Sequence, residues 1–494
     1  MSGGRRFHAR GSACGALLAV AAGLSAGVTG AGCARAAAPR PPLPNVVLVS
    51  VDTLRADHLG SYGYFRDTTP HIDAFGDRAI RFERVRATMA TTLPSHLSML
   101  TGRYPLEHGT LANVAHGGAG FSGAEHGDGG LVSAVQVLQD AGYRTAGFIG
   151  ARTLERATGF AAGFDVFDEP ADVERQAGEV IDHALAWLGE QEPDPRHPFF
   201  LFVHLFDPHW KHEPPEPFLS MFSDDADLEA WVTEREIGDF AMRNRMRKAT
   251  NTLRSLNRYC GEIRYTDEQL GRLFDALDEQ GRFADSIVCF VADHGDGLNQ
   301  HAWVAHGMVW EEQLRVPWLL HLPGDASEPR VVAADVSLLD LFPTLFARLP
   351  ALDTPLAARF AAQATGVDVL APDAAARGPR RFFAQRTGRE IPDDPGPIFA
   401  LVEGDWKLLV REQQGDALFD LARDPHELEN LIEAEPERAR AMRADLEASL
   451  AEQRRRGAAV GADRPGPAAD PERLRMLESL GYVGADSAIE GEDE

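Results

Sequence analysis

Cysteine is scarce in this chain, with four residues among 494. Cys14 and Cys33 fall near the start, which leaves Cys260 and Cys289 for the body of the protein. A disulfide-stapled scaffold is excluded, since one bridge at most could form in an oxidising compartment. Cys289 sits inside an apolar run, where a thiol serves as a small buried hydrophobe. Basic residues are in deficit too: 49 Lys and Arg stand against 75 Asp and Glu, a formal net charge of −26. The first forty residues hold five arginines and no acid, so the remainder carries −31. That balance excludes nucleic acid as a partner and argues against a basic membrane-facing patch. An anionic substrate would be repelled at long range, so an anion site must rest on a local cation. Internal repeats are missing, and the one long apolar stretch, about Ala13 to Val28, is short and Gly-rich for a bilayer span. Arg5, Arg6 and Arg10 precede it, and small residues and Pro39-Arg40-Pro41-Pro42 follow. Residues 1–40 therefore read as a cleavable signal with a linker, and the expected location is periplasmic or extracellular. Cys33 after Gly30-Ala31-Gly32 resembles a lipoprotein cleavage site, so a lipid anchor through Cys33 and a free secreted form both stay open.

What is present is a pattern of buried strands. Asn45 to Val51 is an almost continuous Val-rich run, as in a strand covered on both faces of a parallel sheet. Thr145 to Ile149, Phe199 to Phe206 and Ile287 to Ala292 look alike, with helical patterns at Gly130 to Ala141, Val173 to Glu190 and Thr266 to Gln280 between them. The alternation predicts a doubly wound α/β domain, whose ligands bind beyond the carboxyl ends of the strands. From about Arg380 short strands (Phe399 to Val402, Trp406 to Val410) and a charged helix from about Pro436 to Arg455 predict a small α+β subdomain. The expected division is a catalytic domain over 44–350, the subdomain over 380–456, and a linker with an acidic tail over 457–494. Segments 113–130 and 213–258 read as insertions that shape the pocket.

Three of the four apolar runs end in a carboxylate: Asp52, Asp207 and Asp293. At the tip of a buried strand such a group is either a cap for the next turn or a metal ligand. Thr91 to Pro105 (TTLPSHLSMLTGRYP) puts Thr92 at a helix start, as a cap or beside a cation, where backbone N–H groups can also receive an oxyanion. Asp293 and His294 set a hard and a borderline ligand side by side, and His301, His306, His209 and His212 add imidazoles.

In order, DTLRADHLGSYGY, TLPSH…LTG, VADHGDG, LRVPWLL, GDWKLL and LFDLARDPHELENL resemble the signatures of the sulfatase family of the alkaline phosphatase superfamily, over about residues 44 to 435. The resemblance implies an alkaline-phosphatase-like, mostly parallel doubly wound sheet with a small C-terminal antiparallel subdomain. It also implies one divalent cation held by Asp52, Thr92, Asp293 and His294. The sequence departs from the family pattern at four places, the first being Thr92 itself, where the family has Cys or Ser. Thr53 stands where many members have a second Asp, His96 stands where they have Arg, and no Lys-x-His segment follows the nucleophile helix. Formylglycine, an aldehyde made from Cys or Ser, is not expected at Thr92, because oxidised Thr would give a ketone. A Thr nucleophile instead resembles phosphodiesterase relatives with two metals, for which Asp207, His209 and His306 are candidates and His212 and His301 reserves, the ions about 4 Å apart. The alternative is one metal, with His209, His301 and His306 binding substrate oxygens and protonating the leaving group. Imidazole ligands favour Zn²⁺ or Mn²⁺ over Ca²⁺.

The expected activity is metal-dependent hydrolysis of sulfate- or phosphate-type esters of a small molecule or glycan, with Thr92 tilting the chemistry towards phosphate. A catalytically silent glycan-binding scaffold and a head-group phosphotransferase are the alternatives. Arg55 with Asp57, Tyr62, Asp267 and Arg315 read as structural braces, and His96 as support for the Thr92 loop. Lys211 and Lys407 are given no role.

Overall fold

The computed structural model describes residues 43–113, 130–191, 197–237, 252–324, 330–349, 352–374, 377–387, 395–462 and 475. The expected signal over 1–40, the acidic tail, and much of the two pocket-shaping insertions lie outside these residues. Eight strands form one sheet in the order β4-β3-β5-β1-β6-β7-β2-β8. They are β1 (Asn45–Val51), β2 (Ile80–Arg86), β3 (Arg144–Ile149), β4 (Val166–Asp168), β5 (Phe199–Leu205), β6 (Ser286–Ala292), β7 (Arg315–His321) and β8 (Arg330–Ser337). The block from β4 to β6 is parallel, β7 runs antiparallel to both its neighbours, and β8 is parallel to β2. This is the mostly parallel sheet the sequence predicts, with a mixed flank.

Strands β1, β5 and β6 are apolar at almost every position because both faces are covered. Helix Ala177–Gly189 packs on Thr252–Glu279, and Thr92–Thr101 on Ala134–Asp140 and Leu341–Phe346. In Thr252–Glu279 the buried Leu256, Tyr259, Ile263, Leu270, Phe274 and Leu277 recur at helical spacing, which fixes its inward face. This helix begins well before the predicted Thr266 and takes in the end of the 213–258 insertion.

A second sheet, β12-β11-β10-β9, is wholly antiparallel. Its strands are β9 (Arg381–Arg386), β10 (Ile398–Glu403), β11 (Trp406–Arg411) and β12 (Ala417–Asp420). Alternation sorts their side chains. Leu401, Leu408 and Leu418 meet Met442, Leu446 and Leu450 of helix Pro436–Ala459, whereas Ala400, Leu409, Ala417 and Phe419 join the main core. Both Cys260 and Cys289 are buried free thiols. Among the described residues no helix is long and apolar enough to cross a membrane.

Candidate active site

Register alone brings the chemistry together. Val51 pairs with Ala292 on one side and Leu205 on the other, so the residues that follow β1, β6 and β5 leave the sheet at one edge. Asp52 and Asp293 are the first residues past their strands and both are fully buried. The chain bends at once: Thr53 has φ 54°, a strained value for a β-branched residue. Its N–H donates to Asp293 Oδ1 (3.3 Å) and its carbonyl accepts from the Tyr259 hydroxyl (2.7 Å). Gly295 has no room for a side chain, since a Cβ there would lie 2.1 Å from the Glu312 carbonyl oxygen. Asp293 and His294 are thereby seated against the β1 edge.

Thr92 opens helix Thr92–Thr101, and its hydroxyl donates to Asp52 Oδ2 at 3.2 Å. His294 Nε2 lies 3.8 Å from Asp52 Oδ1 and 3.4 Å from Asp293 Oδ2. These three ligand atoms fall within 4.8 Å of one another, and none has a hydrogen-bond partner despite complete burial. Burial pushes Asp52 up to about 7, and burial with the neighbouring Asp52 charge pushes Asp293 well up. Burial also keeps His294 neutral. Two crowded carboxylates beside an imidazole lone pair are costly alone and form a sound donor set for a divalent cation.

His209 and His306 stand on the same side, their Nε2 atoms 3.2 Å apart and the His306 ring 4.6 Å from that of His294. Nδ1 of His209 meets the Trp210 carbonyl (2.6 Å), Nδ1 of His306 that of Ala90 (3.0 Å), and Nδ1 of His294 that of Gly295 (3.0 Å). A carbonyl only accepts, so each Nδ1 carries the proton and each Nε2 presents a lone pair inward. Carbonyl-fixed imidazoles of this kind are typical of metal ligands.

His96 ties the Thr92 turn to the strand. Nε2 meets Ser50 Oγ (2.9 Å), and Nδ1 meets the Thr92 carbonyl (2.8 Å) and lies 3.5 Å from Asp293 Oδ2. Ser95 Oγ donates to the Asp293 carbonyl (2.7 Å). The helix start is less open to an oxyanion than expected: Leu93 N–H donates to Asn113 Oδ1 (2.8 Å), Ser95 N–H to Thr91 O (3.0 Å), and Pro94 has none.

The structure does not bring Asp207 or His301 to this cluster. After Leu205 the chain turns, and Asp207 Oδ2 accepts from Ala177 N–H (2.8 Å), where a helix N-terminus attracts a carboxylate. His301 stacks on Trp310 (4.0 Å), with Nε2 3.7 Å from Glu312 Oε2, in a separate group with Glu427. His212 packs on Tyr259. The braces take simple forms: Arg55 forks onto Asp57 (2.8 and 2.9 Å), Tyr62 OH donates to Phe82 O (3.0 Å), and Asp267 accepts from Ile72 and His71 N–H. Arg315 donates to Glu83 O (2.9 Å). Lys407 is fully buried between Glu311 (3.0 Å) and Glu427 (2.8 Å).

Two groups escaped the sequence reading. His204 Nε2 lies 3.6 Å from Asp52 Oδ2, and Asp296 Oδ2 is buried without a hydrogen-bond partner. The signal for His204 was its place in an otherwise apolar run, in register with Ser50.

With the geometry in place, comparison with known proteins is decisive on one point. The family model described as Sulfatase matches residues 44–351. The chain belongs to the sulfatase family. An arylsulfatase of Clostridium perfringens (strain 13 / Type A) is 25% identical over 452 residues, covering 79% of this chain and 91% of that protein. Two solved structures share the fold of this sulfatase-family chain. The phosphonate monoester hydrolase of Agrobacterium radiobacter has a TM-score of 0.61 at 20% identity, covering 83% of this chain and 96% of its own. The yidJ protein of Bacteroides fragilis, assigned as a sulfatase, has a TM-score of 0.66 at 20% identity, covering 85% and 98%. Enzymes of the sulfatase family hydrolyse sulfate or phosphate esters with a divalent metal, and the Asp52, Asp293 and His294 atoms suit one here.

Proposed function

We propose that this sulfatase-family chain hydrolyses sulfate- or phosphate-type esters through Thr92 as nucleophile, with phosphate esters preferred. The observation that carries the reading is the Thr92 hydroxyl 3.2 Å from Asp52, beside three buried ligand atoms that have no hydrogen-bond partner. Asp52, Asp293 and His294 would hold the ion with Thr92. When bound, the cation supplies the charge that makes a hydroxyl nucleophilic at neutral pH and stabilises the ester oxygens. Thr92 Oγ1 bonds to phosphorus or sulfur as the bond to the leaving alcohol breaks, and Asp52 Oδ2 takes the hydroxyl proton. Water then cleaves the Thr92 ester. His96 holds the turn, and formylglycine has no place at a threonine.

We assign His209 and His306 to the leaving oxygen, because they stand beside His294 and a proton shared between their Nε2 atoms is suited to protonate it. A second reading has a specific support: two inward lone pairs 3.2 Å apart repel unless a proton or a cation lies between them. A second ion on His209 and His306 satisfies them equally, without Asp207. Imidazole donors favour Zn²⁺ or Mn²⁺ over Ca²⁺. We further propose the catalytic unit over 44–350, the supporting subdomain over 380–456, an exported protein with a signal over 1–40, and a small-molecule or glycan ester as substrate.

Purified protein assayed with Zn²⁺ or Mn²⁺ on nitrophenyl phosphate, a phosphodiester and nitrophenyl sulfate is expected to turn over the phosphates faster. Chelation should abolish turnover, and elemental analysis counts one ion or two. Turnover of the sulfate alone contradicts the phosphate preference; no turnover of any ester favours a silent scaffold.

A further inference from the structure

A second group of ligating side chains stands apart from the proposed site, where the two sheets meet. His301 comes from the loop after β6, Glu312 from the single helical turn before β7, and Glu427 from the segment after β12. One ligand atom of each lies within 4.8 Å of the other two. The Glu312 side chain is 2% exposed and that of His301 10%, so the point of convergence is almost closed to solvent.

Glu312 Oε2 and His301 Nε2 face each other there, and neither has a hydrogen-bond partner. They are 3.7 Å apart, too far to bond to one another. Two ligands bound to one Zn²⁺ ion at tetrahedral angles lie about 3.5 Å apart, so the gap suits a shared ion. Burial and the Lys407 charge hold the His301 ring neutral, down to about 3, and the His426 carbonyl accepts its one proton. That proton sits on Nδ1, because Nε2 has no partner, and Nε2 presents its lone pair to Glu312.

The neighbouring carboxylates are better supplied. Lys407 is shared by Glu311 and Glu427, and Glu427 Oε2 also accepts from Glu311 N–H (2.6 Å). Glu312 Oε1 accepts only a long bond from Gln313 Nε2 (3.3 Å), and among the described residues no Lys or Arg nitrogen lies within 4 Å of this carboxylate. A carboxylate oxygen has two lone pairs, so Glu427 Oε1 can meet Lys407 (2.8 Å) and an ion together.

We propose that His301 Nε2, Glu312 Oε2 and Glu427 Oε1 hold a divalent cation, Zn²⁺ or Mn²⁺, that ties the catalytic sheet to the small antiparallel sheet. One imidazole and two carboxylates form a donor set for these ions, with water from the partly open His301 side completing the shell. The inference concerns a site other than that of Asp52, Asp293 and His294, and it does not rest on the hydrolase reading. In the metal-free protein Glu312 keeps a proton instead, since burial and the Glu427 charge raise it to about 8, so ion and proton compete for one oxygen.

The test is the Zn²⁺ content of full-length protein, stripped with chelator and re-equilibrated with Zn²⁺. His301→Ala is expected to hold one equivalent less than the wild type. Asp293→Asn/His301→Ala should likewise hold one less than Asp293→Asn, because the two sites fill independently. Glu312→Gln keeps the shape of the side chain and should show the same loss should the His301 variant fail to fold. In the Asp293→Asn background Zn²⁺ should raise the melting temperature, and adding His301→Ala should diminish that rise. Zn²⁺ contents equal to the wild type in folded His301→Ala and Glu312→Gln proteins overturn the proposal, as does a melting shift that His301→Ala leaves unchanged. Ester turnover is not read in this experiment, so the hydrolase reading stands or falls separately.

Discussion

Asp52, Thr92, Asp293 and His294 were legible as residues because each stands where a strong local pattern stops, at a strand tip or a helix start. The converging geometry of these four is what the structure adds. His204 and Asp296 were not legible, because neither ends an element and a buried strand shows no alternation that would mark one position as inward. Asp207 had the same sequence signature as Asp52 yet caps a helix; the direction of a side chain two residues beyond a strand is set by the neighbouring helix, which local pattern does not report. At this scale the His209–His306 pair makes a prediction. If it holds the proton for the leaving oxygen, His306→Ala should lower kcat about 10²- to 10⁴-fold for a poor alkoxide leaving group and far less for nitrophenolate. An equal loss for both, with metal content down by one equivalent, would assign the pair to a second ion instead.

Among elements, β1, β3, β5 and β6 were read almost to the residue, as continuous apolar runs of strand length. The mixed flank was not. Strand β7 carries Pro317, which argues against an interior strand, and β8 is largely exposed along its first half. The structure accommodates the proline opposite an irregularity in β2, where the register shifts between Phe82 and Val85. The contact between the two sheets was also hidden, since Lys407, Glu311, Glu312 and Glu427 are far apart in sequence. Burial and the nearby Glu427 charge raise Glu312 to about 8. A carboxyl raised on folding binds more protons in the native state, so its contribution to stability is present below about pH 4.5 and is lost as pH rises towards 8. Glu312→Gln should therefore flatten the stability profile. Thermal melts should show the variant gaining on the wild type at pH 8 relative to pH 5, and parallel profiles would contradict the assignment.

For the whole molecule, composition was the informative layer. With a body charge of −31, the anion site we propose requires a local cation, and the buried Asp–Asp–His set is a donor set suited to one. Long-range repulsion of a plain anionic ester is screened by salt. kcat/KM for nitrophenyl phosphate should therefore rise several-fold as ionic strength increases from about 0.02 to 0.2 M. A fall would contradict this electrostatic picture.

The proposed chemistry depends on a single hydroxyl, that of Thr92, attacking the ester. Its most direct test is steady-state turnover of Thr92→Ala loaded with the same metal as the wild type, alongside Thr92→Ser. A loss of at least about a thousandfold in kcat is expected for Ala, and substantial activity for Ser, which keeps the hydroxyl. Undiminished turnover by a folded, metal-bound Thr92→Ala protein would contradict it.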